Sequence, residues 1–550
     1  MQFLDADTQR QLGFDQVWSR IRPVSALGRA LHRKATAFLL EQSADLQQEW
    51  DRLEGISSCL RTDPQMAAEL IFLLSTVRDI SGTVRRSIQG CVLDDLELYE
   101  VKKLLLTLEK VQAELDGLHW STLLPTPLDF CTECKEALSI GQGSQESFYL
   151  ADAYDQELAD IRQERISLEG SLSRFRDSAE QKVLQAVGRI LSMDDDITVS
   201  TTDGAMITQL DAIEELSKVQ ETSAFVTFRL VEDETLYQIR RELTRAREKE
   251  EECKNRIRQR LSEVVHAHGE RLLRILEQLG FLDLLLAKAE FCAAINGIRP
   301  QLCPEPAIRI QGGRHLLLAE DVQHAGHDYT PLDIELESGV TMITGPNMGG
   351  KTASLQTIGL LLAMAQFGLL VPATSLEFRP RQFIAAHLAV AEIPKGLSTF
   401  AGEIAFLRDV IQEAHQDALI LVDEIAHGTN PVEGAALAEA VVEKLDQKPS
   451  ITVMTTHYPS LARLEAIRHL RVRGLDKDKL QKQLRVLWKG QADAFRRCMD
   501  YRLEVASPDQ PLSSDAALVA EAMGLDKDII ERAKELLQLN AIVQREGGHG

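Results

Sequence analysis

Residues 345–352 form a glycine-rich segment whose residue types and spacing suit the binding of a nucleoside triphosphate. The segment reads GPNMGGKT and fits the phosphate-loop pattern G-x-x-x-x-G-K-[ST]. Glycines let backbone N–H groups turn towards phosphate oxygens, and the positive end of a following helix strengthens that attraction. An ordinary glycine-rich turn is the alternative, which the apolar run before the segment and the helical pattern after it disfavour. The residues expected to bind ATP are Gly345, Pro346, Asn347, Met348, Gly349, Gly350, Lys351 and Thr352.

Two of these side chains, and a carboxylate pair further along, have the types needed for phosphoryl transfer. We expect the Lys351 ammonium to contact the β- and γ-phosphates and the Thr352 hydroxyl to ligate Mg²⁺. The apolar run 419–422 ends in Asp423 and Glu424. Asp423 is expected to bind Mg²⁺, directly or through water, and Glu424 to polarise the attacking water. Such a pair also caps helices, so its catalytic interpretation depends on the phosphate loop.

The apolar runs that precede these polar residues predict a parallel β-sheet. Runs at 340–344, 418–422 and 451–455 alternate with helical patterns, which is typical of a parallel sheet with helices on its faces. The last run leads into His457, which is therefore predicted at the γ-phosphate end of the same sheet edge. A single histidine is more often structural, and its place after a strand is what favours a catalytic role.

The sequence before this sheet is mostly helical. Apolar residues recur at three- and four-residue steps through roughly the first 120 residues, then from 149 to 191, and again from Leu236 to Leu261. At 1.5 Å per residue, the last two stretches would reach roughly 60 Å and at least about 40 Å, which predicts an antiparallel arm. Strand-like alternation between them, near residues 197 and 224, predicts a small tip on this arm.

Composition and charge limit the class of protein. The 550 residues are 44% hydrophobic and 26% charged, as in globular proteins, and the net charge is −23. Such a chain is not a uniformly basic nucleic-acid coat protein, although it could carry a local basic groove. We expect no secretory signal and no membrane span, and eight scattered cysteines fit a reducing cytoplasm. Cys131 and Cys134 lack a second CxxC pair or a nearby pair of histidines, so free thiols in a loop are expected.

Four segments together resemble one known family. GPNMGGKT, GLSTFAGE, DEIAHGTNPVEGAALA and TTHYPSL, in this order, closely resemble the ATPase domain of the MutS family of ABC-type ATPases, and the LSGGQ-like segment of a transporter is absent. The helices and arm before them resemble the family's core, lever and clamp domains, so the resemblance covers most of the chain. Within the family, the residues GTNP and EGAALA after the Asp-Glu pair resemble those of the branch associated with suppression of recombination and with ribosome rescue.

The resemblance implies a multidomain fold with helical parts and an α/β part. It predicts a helical core in residues 1–145, a lever arm in 146–296 with a clamp-like tip at about 192–236, and a P-loop ATPase domain in 297–510. A C-terminal helical dimerisation segment and tail would occupy 511–550. The chain departs from the family because no mismatch-reading domain is expected before the core and no nuclease domain after the helical tail. Ala426 and His427 also replace the Gly/Arg-type residues usual after the pair.

The resemblance also implies a homodimer with composite ATP sites. Ser398, Thr399 and Phe400 would then reach the γ-phosphate held by the other subunit, and residues 428–431 would line the dimer seam. From the residues alone, Ser398 and Thr399 could simply cap the start of a helix, and both roles are compatible.

The partner of the arm is left open by the sequence. The segment between residues 192 and 236 contains eleven acidic residues and only two basic ones, Lys218 and Arg229. This excess of negative charge argues against phosphate contacts at the tip. Basic residues do cluster on the returning helix, although glutamates at 248, 250 and 251 are expected to neutralise them: Arg240, Arg241, Arg245, Arg247. Three hypotheses remain: a clamp on double-stranded or branched DNA, ATP-driven remodelling of a protein client such as a cobalamin-dependent lysine 5,6-aminomutase, and a ribosome- or RNA-associated ATPase.

Overall fold

The computed structural model describes most of the chain as two compact units. The described residues are 2–142, 147–192, 195–231, 234–346, 349–388, 399–426, 429–458, 461, 464, 467–476, 499–506, 520, 525–533 and 535–536. Packing groups residues 1–75 with 280–550 in the first unit and residues 76–279 in the second. The boundaries at residues 145, 296 and 510 stay predictions, and most of the predicted C-terminal helical segment lies outside the described residues.

The helices and strands are numbered in chain order. The helices are α1 (Ala6–Gln11), α2 (Phe14–Trp18), α3 (Ala26–Lys34), α4 (Ser43–Thr62), α5 (Ala68–Thr76), α6 (Ser81–Ile88), α7 (Asp95–Gly117), α8 (Thr132–Leu138), α9 (Gln156–Val187), α10 (Gly204–Asp211), α11 (Glu234–Ala267), α12 (Gly269–Ala294), α13 (Leu316–His324), α14 (Lys351–Gln366), α15 (Thr399–Glu413) and α16 (Pro431–Asp446). The strands are β1 (Asp196–Ser200), β2 (Leu216–Glu221), β3 (Phe225–Leu230), β4 (Gln301–Leu302), β5 (Ile308–Gly313), β6 (Leu332–Leu336), β7 (Gly339–Thr344), β8 (Ser375–Phe378), β9 (Phe383–His387), β10 (Ala418–Val422), β11 (Ile451–Thr455), β12 (Arg468–Leu475) and β13 (Met499–Val505).

A six-stranded sheet forms the centre of the first unit. Its strand order is β13-β12-β7-β11-β10-β9, and every neighbouring pair is parallel except β12 with β13. Strands β7, β10 and β11 are buried along their whole length, as expected for a parallel sheet covered on both faces. The mixed helical and α/β fold predicted from the sequence is therefore confirmed. A second sheet, with the order β4-β8-β5-β6, belongs to the same unit.

The N-terminal residues pack against the outer edge of this six-stranded sheet. The backbone N–H of Ile384 on β9 donates to the carbonyl of Phe3, and the Ala386 N–H donates to the Thr8 hydroxyl. The N–H of Leu388, just after β9, donates to the Gln11 side chain. These contacts satisfy backbone donors that an edge strand would otherwise leave unpaired. No pattern in the sequence predicted this packing, because it joins residues separated by most of the chain.

The second unit contains two long helices that run antiparallel. Ion pairs join Asp155 to Arg260, Glu157 to Arg256, and Glu169 to Arg247, so residue numbers fall along α11 as they rise along α9. Buried residues on α11 recur at seven-residue steps, which is the spacing of a coiled-coil seam. These are Leu236, Leu243, Glu250 and Ile257.

A small sheet and helix α10 lie between these two helices in the sequence. The sheet is antiparallel with the order β1-β3-β2. One face is apolar and packs with α10 and the C-terminal part of α9 through Ile197, Val226 and Phe228. This is the segment predicted as the tip of the arm.

A buried carboxylate interrupts the apolar seam of the arm. Glu250 is almost fully buried and accepts a hydrogen bond of 3.1 Å from Arg162. It also forms ion pairs with Arg165 at 2.9 Å and with Lys254, on the same helix, at 3.0 Å. Three cations therefore share one carboxylate within the coiled-coil seam. A polar group at a seam position favours one alignment of the two helices over others.

Within the described residues, no helix is long and apolar enough to cross a membrane. The cysteines in that part of the chain are all free, as predicted for the CxxC pair. Burial raises the pKa of Cys131 to about 11 and that of Cys134 to about 12, so both remain protonated thiols at neutral pH. Cys134 lies in α8, and the expectation that both thiols lie in a loop is wrong for this residue.

We predict that Glu250→Ala destabilises the arm by about 1–3 kcal/mol, because Arg162 and Arg165 lose their buried partner. Both arginines are partly exposed, and solvent moderates the loss. Hydrogen exchange of α9 and α11 in the full chain measures the effect. The matched control is Arg256→Ala, which breaks an exposed pair with Glu157 and should cost less than about 1 kcal/mol. Equal losses in the two variants would contradict the prediction.

Candidate nucleotide-binding site

The segment between β7 and α14 turns on two glycines with positive φ. Gly345 has a φ of 150° and Gly350, which caps the N-terminus of α14, has a φ of 84°. A Cβ atom on Gly350 would lie 3.0 Å from the ring of Tyr501, and one on Gly345 would lie 2.9 Å from Val472. Both positions therefore require glycine for the backbone conformation and for the space available. Asn347 and Met348 lie outside the described residues.

The Lys351 side chain folds back over this segment. Its Nζ donates to the carbonyl oxygens of Gly345 at 3.0 Å and Pro346 at 3.3 Å. The residue is almost fully buried. Burial lowers the pKa of Lys351 from its ordinary value, and the carboxylates of Glu424 and Asp423 act in the opposite direction. The ammonium thus lies among the loop carbonyls and near both carboxylates.

Asp423 joins three parts of the site. Its Oδ2 accepts a hydrogen bond of 2.6 Å from the Thr352 hydroxyl, and its Oδ1 accepts one of 2.5 Å from the Thr455 hydroxyl. Its backbone N–H donates to the His387 carbonyl at the end of β9. A hydroxyl and a carboxylate that already touch are oxygen ligands of the kind Mg²⁺ prefers, so these residues fit the predicted metal site.

Glu424 and His457 meet at the same sheet edge. His457 Nε2 lies 2.7 Å from Glu424 Oε1, and both side chains remain partly exposed. The backbone N–H of Glu424 donates to the Thr455 hydroxyl at 2.8 Å. Glu424 has a φ of 55°, a conformation that residues with a Cβ rarely adopt and that is found disproportionately at functional sites.

The parallel strand order explains why these residues converge. The phosphate-loop segment follows β7, Asp423 and Glu424 follow β10, and His457 follows β11, which lies between the other two strands. Their carboxyl ends therefore meet at one edge, which is where parallel α/β sheets bind ligands. Ser398 lies outside the described residues. Thr399 begins α15, and its side chain is not among those described.

Sequence reasoning missed three residues that contact this site. Thr455 binds both Asp423 and the backbone of Glu424. Glu403 and Tyr458 both hydrogen-bond to the backbone of Ala426, two residues after Glu424. The two threonines before His457 and the glutamate that ends GLSTFAGE were visible, but their partners depend on strand order.

Comparisons with known proteins find relatives of this chain. Residues 341–539 match the family model described as MutS domain V. The chain is 33% identical over 320 residues to an Endonuclease MutS2 from Geobacillus sp. (strain WCH70), which covers 58% of this chain and 38% of the relative. It is 29% identical over 516 residues to an Endonuclease MutS2 from Geobacillus thermodenitrificans (strain NG80-2), which covers 91% of this chain and 62% of the relative.

A third relative extends the similarity in the same way. The chain is 30% identical over 491 residues to an Endonuclease MutS2 from Pelotomaculum thermopropionicum (strain DSM 13744 / JCM 10971 / SI), which covers 85% of this chain and 57% of the relative. Two of the three alignments are much longer than the matched domain, so the similarity also includes the residues before it. The chain spans between 38% and 62% of the length of these three curated relatives.

We predict that Gly350→Ala weakens nucleotide binding by about tenfold or more, because a Cβ at positive φ is strained by 1–2 kcal/mol and also meets Tyr501. Titration with a fluorescent ATP analogue measures the change. Gly55→Ala in α4 is the matched control, since a Cβ there meets no atom within 4 Å. Wild-type affinity in the Gly350 variant would show that this turn does not hold the nucleotide.

Proposed function

We propose that this chain, which belongs to the MutS family as its motifs predicted, is an ATPase. It binds ATP with Mg²⁺ at the edge of the six-stranded sheet and hydrolyses it. One observation carries the proposal: Lys351, the Thr352–Asp423 pair and the Glu424–His457 pair converge where three parallel strands end. A phosphate-binding cation, oxygen ligands for a metal and a carboxylate beside a histidine are the parts that phosphoryl transfer needs.

Each side chain has a distinct role in this proposal. The backbone of residues 345–350 and the Lys351 ammonium bind and orient the phosphates. Thr352 and Asp423 hold Mg²⁺, which would neutralise charge on the β- and γ-phosphate oxygens when bound. Glu424 orients the attacking water and accepts its proton, and His457 fixes the Glu424 carboxylate through the 2.7 Å contact.

We also propose that the protein acts as a homodimer with composite ATP sites. The proposal is drawn from the family and is supported by the surface beside Glu424. Asn430 caps α16, and Val432 in its first turn is 78% exposed. An apolar side chain this exposed, beside the catalytic loop, suits contact with a second copy. Ser398 and Thr399 would then contribute to the partner's ATP site, as the family resemblance implies.

DNA is the partner that we propose for the arm, in line with relatives named Endonuclease MutS2. The number of acidic residues at the tip overstates how strongly the tip would repel DNA. Basic residues outside the counted segment neutralise some of these acidic side chains. Asp195 pairs with Arg176 on α9 and with Arg240 on α11, and Glu215 pairs with Lys182. The tip is therefore less acidic in the fold than in the sequence.

Two arginines on α11 are the best candidates for phosphate contacts. Arg241 and Arg245 are exposed, lie four residues apart on one helix face, and form no ion pair within the described residues. The expectation that Glu250 and Glu251 neutralise this cluster is wrong. Glu250 binds Arg162 and Arg165, and the ion pairs of Glu251 are with Lys254 and Arg258, all at other positions of the arm.

We predict that Glu424→Gln retains ATP binding but hydrolyses ATP at least about a hundredfold more slowly, since it loses the group that accepts the proton. Steady-state phosphate release and ATP-analogue titration measure the two properties separately. Lys351→Ala is the companion variant and should lose binding itself. A normal hydrolysis rate in the glutamine variant would show that another group activates the water.

We predict that the double variant Arg241→Ala/Arg245→Ala binds duplex and branched DNA more weakly and lowers the slope of log affinity against log salt by about 2. Fluorescence anisotropy at several salt concentrations measures both quantities. The control is Arg256→Ala/Arg260→Ala, whose arginines are paired with Glu157 and Asp155 and should change the slope little. Equal slopes in the test variant and the wild type would remove α11 as the DNA contact.

A further inference from the structure

Ala426 lies two residues after Glu424 in a conformation that alanine rarely adopts. Its φ is 59°, Glu424 itself has a φ of 55°, and Ala426 is buried. Left-handed backbone is unfavourable for a residue with a Cβ and persists only where surrounding contacts enforce it. Contacts with other parts of the chain, and not the backbone preference of these residues, must therefore hold this segment.

Two side chains from different elements hold both polar backbone groups of Ala426. Its N–H donates to Glu403 Oε1 at 2.6 Å, and its carbonyl accepts a hydrogen bond of 2.8 Å from the Tyr458 hydroxyl. Glu403 belongs to the first turns of α15, and Tyr458 directly follows His457. Burial and the nearby Glu403 carboxylate raise the pKa of Tyr458, so its hydroxyl remains a donor at neutral pH.

Helix α16 packs closely against these contacts. A Cβ on Gly434 of α16 would lie 2.5 Å from the Tyr458 hydroxyl and 2.9 Å from the Ala426 carbonyl. Helix α16 therefore lies directly against both ends of this hydrogen bond. At the other end of the segment, the Glu424 N–H is fixed by Thr455.

We propose that Glu403 and Tyr458 are positioning residues that hold the strained segment 424–426, so that the Glu424 carboxylate stays aimed at His457 and at the attacking water. The inference rests on the proposed ATPase function and adds two residues to it. Without the two hydrogen bonds, Ala426 would relax to negative φ and rotate the chain that follows Glu424. ATP binding depends on Lys351 and the phosphate loop, and would be little affected.

Tyr458→Phe tests this with the loss of a single hydroxyl. We expect kcat for ATP hydrolysis to fall about five- to tenfold, the size of one lost hydrogen bond, with KM and ATP-analogue affinity within about twofold of wild type. Glu403→Ala should behave in the same way, and Glu403→Gln, which keeps an acceptor oxygen, should recover most of the rate. The control on the same helix is Glu413→Ala, because the Glu413 carboxylate accepts a hydrogen bond from the Gln416 side chain, away from the site.

Ala426→Gly separates positioning from general packing. Glycine adopts positive φ without strain, so it needs the two hydrogen bonds less. In the Ala426→Gly background, Tyr458→Phe should therefore lower kcat by less than about twofold. The same loss in both backgrounds, or a loss of ATP affinity with kcat unchanged, would overturn the inference while leaving the proposed function in place. If the unaltered protein does not hydrolyse ATP, the proposed function and this inference both fail.

Discussion

The Asp423 carboxylate is the group on which the rest of the site depends. Its two oxygens accept hydrogen bonds from Thr352 and Thr455, and its backbone N–H reaches the end of β9. It thereby ties the first turn of α14 to three neighbouring strand ends. A buried carboxylate is costly unless its oxygens are hydrogen-bonded, and here both are. The Thr455 hydroxyl also accepts a hydrogen bond from the Glu424 backbone, so Asp423 and Glu424 are fixed relative to each other.

The loop after β10 is held by side chains from several segments instead of by its own conformational preferences. Glu424 and Ala426 both have positive φ. The residues that hold them come from α15, from the last position of β11 and from the segment that follows β11. The substitution at Ala426 noted in the sequence acquires a physical meaning in this setting. Where the family resemblance implies a Gly/Arg-type pair, this chain has at Ala426 a residue with a Cβ and two hydrogen bonds on its backbone.

Sequence patterns predicted the elements better than the contacts between them. The apolar runs, the phosphate loop and the Asp-Glu pair follow local rules of strand burial and glycine geometry, and the family and the mixed fold are confirmed. Thr455 and Tyr458 could not be found because their partners depend on β11 lying beside β10, and Glu403 could not be found because its partner depends on how α15 packs. The acidic count at the tip misled for a related reason, since Arg176 and Lys182 precede the counted segment but pair with its acids. The net charge of a surface depends on which side chains are close in the fold, and not only on those adjacent in the sequence.

The packing of the first eleven residues on β9 also has a practical consequence. Because Phe3, Thr8 and Gln11 satisfy the outer backbone donors of that strand, the sheet depends on residues far from it in the sequence. A fragment that contains the six-stranded sheet but lacks these first residues would present an uncovered strand to solvent. Such an edge recruits further strands from other molecules, so the isolated fragment would be prone to aggregate.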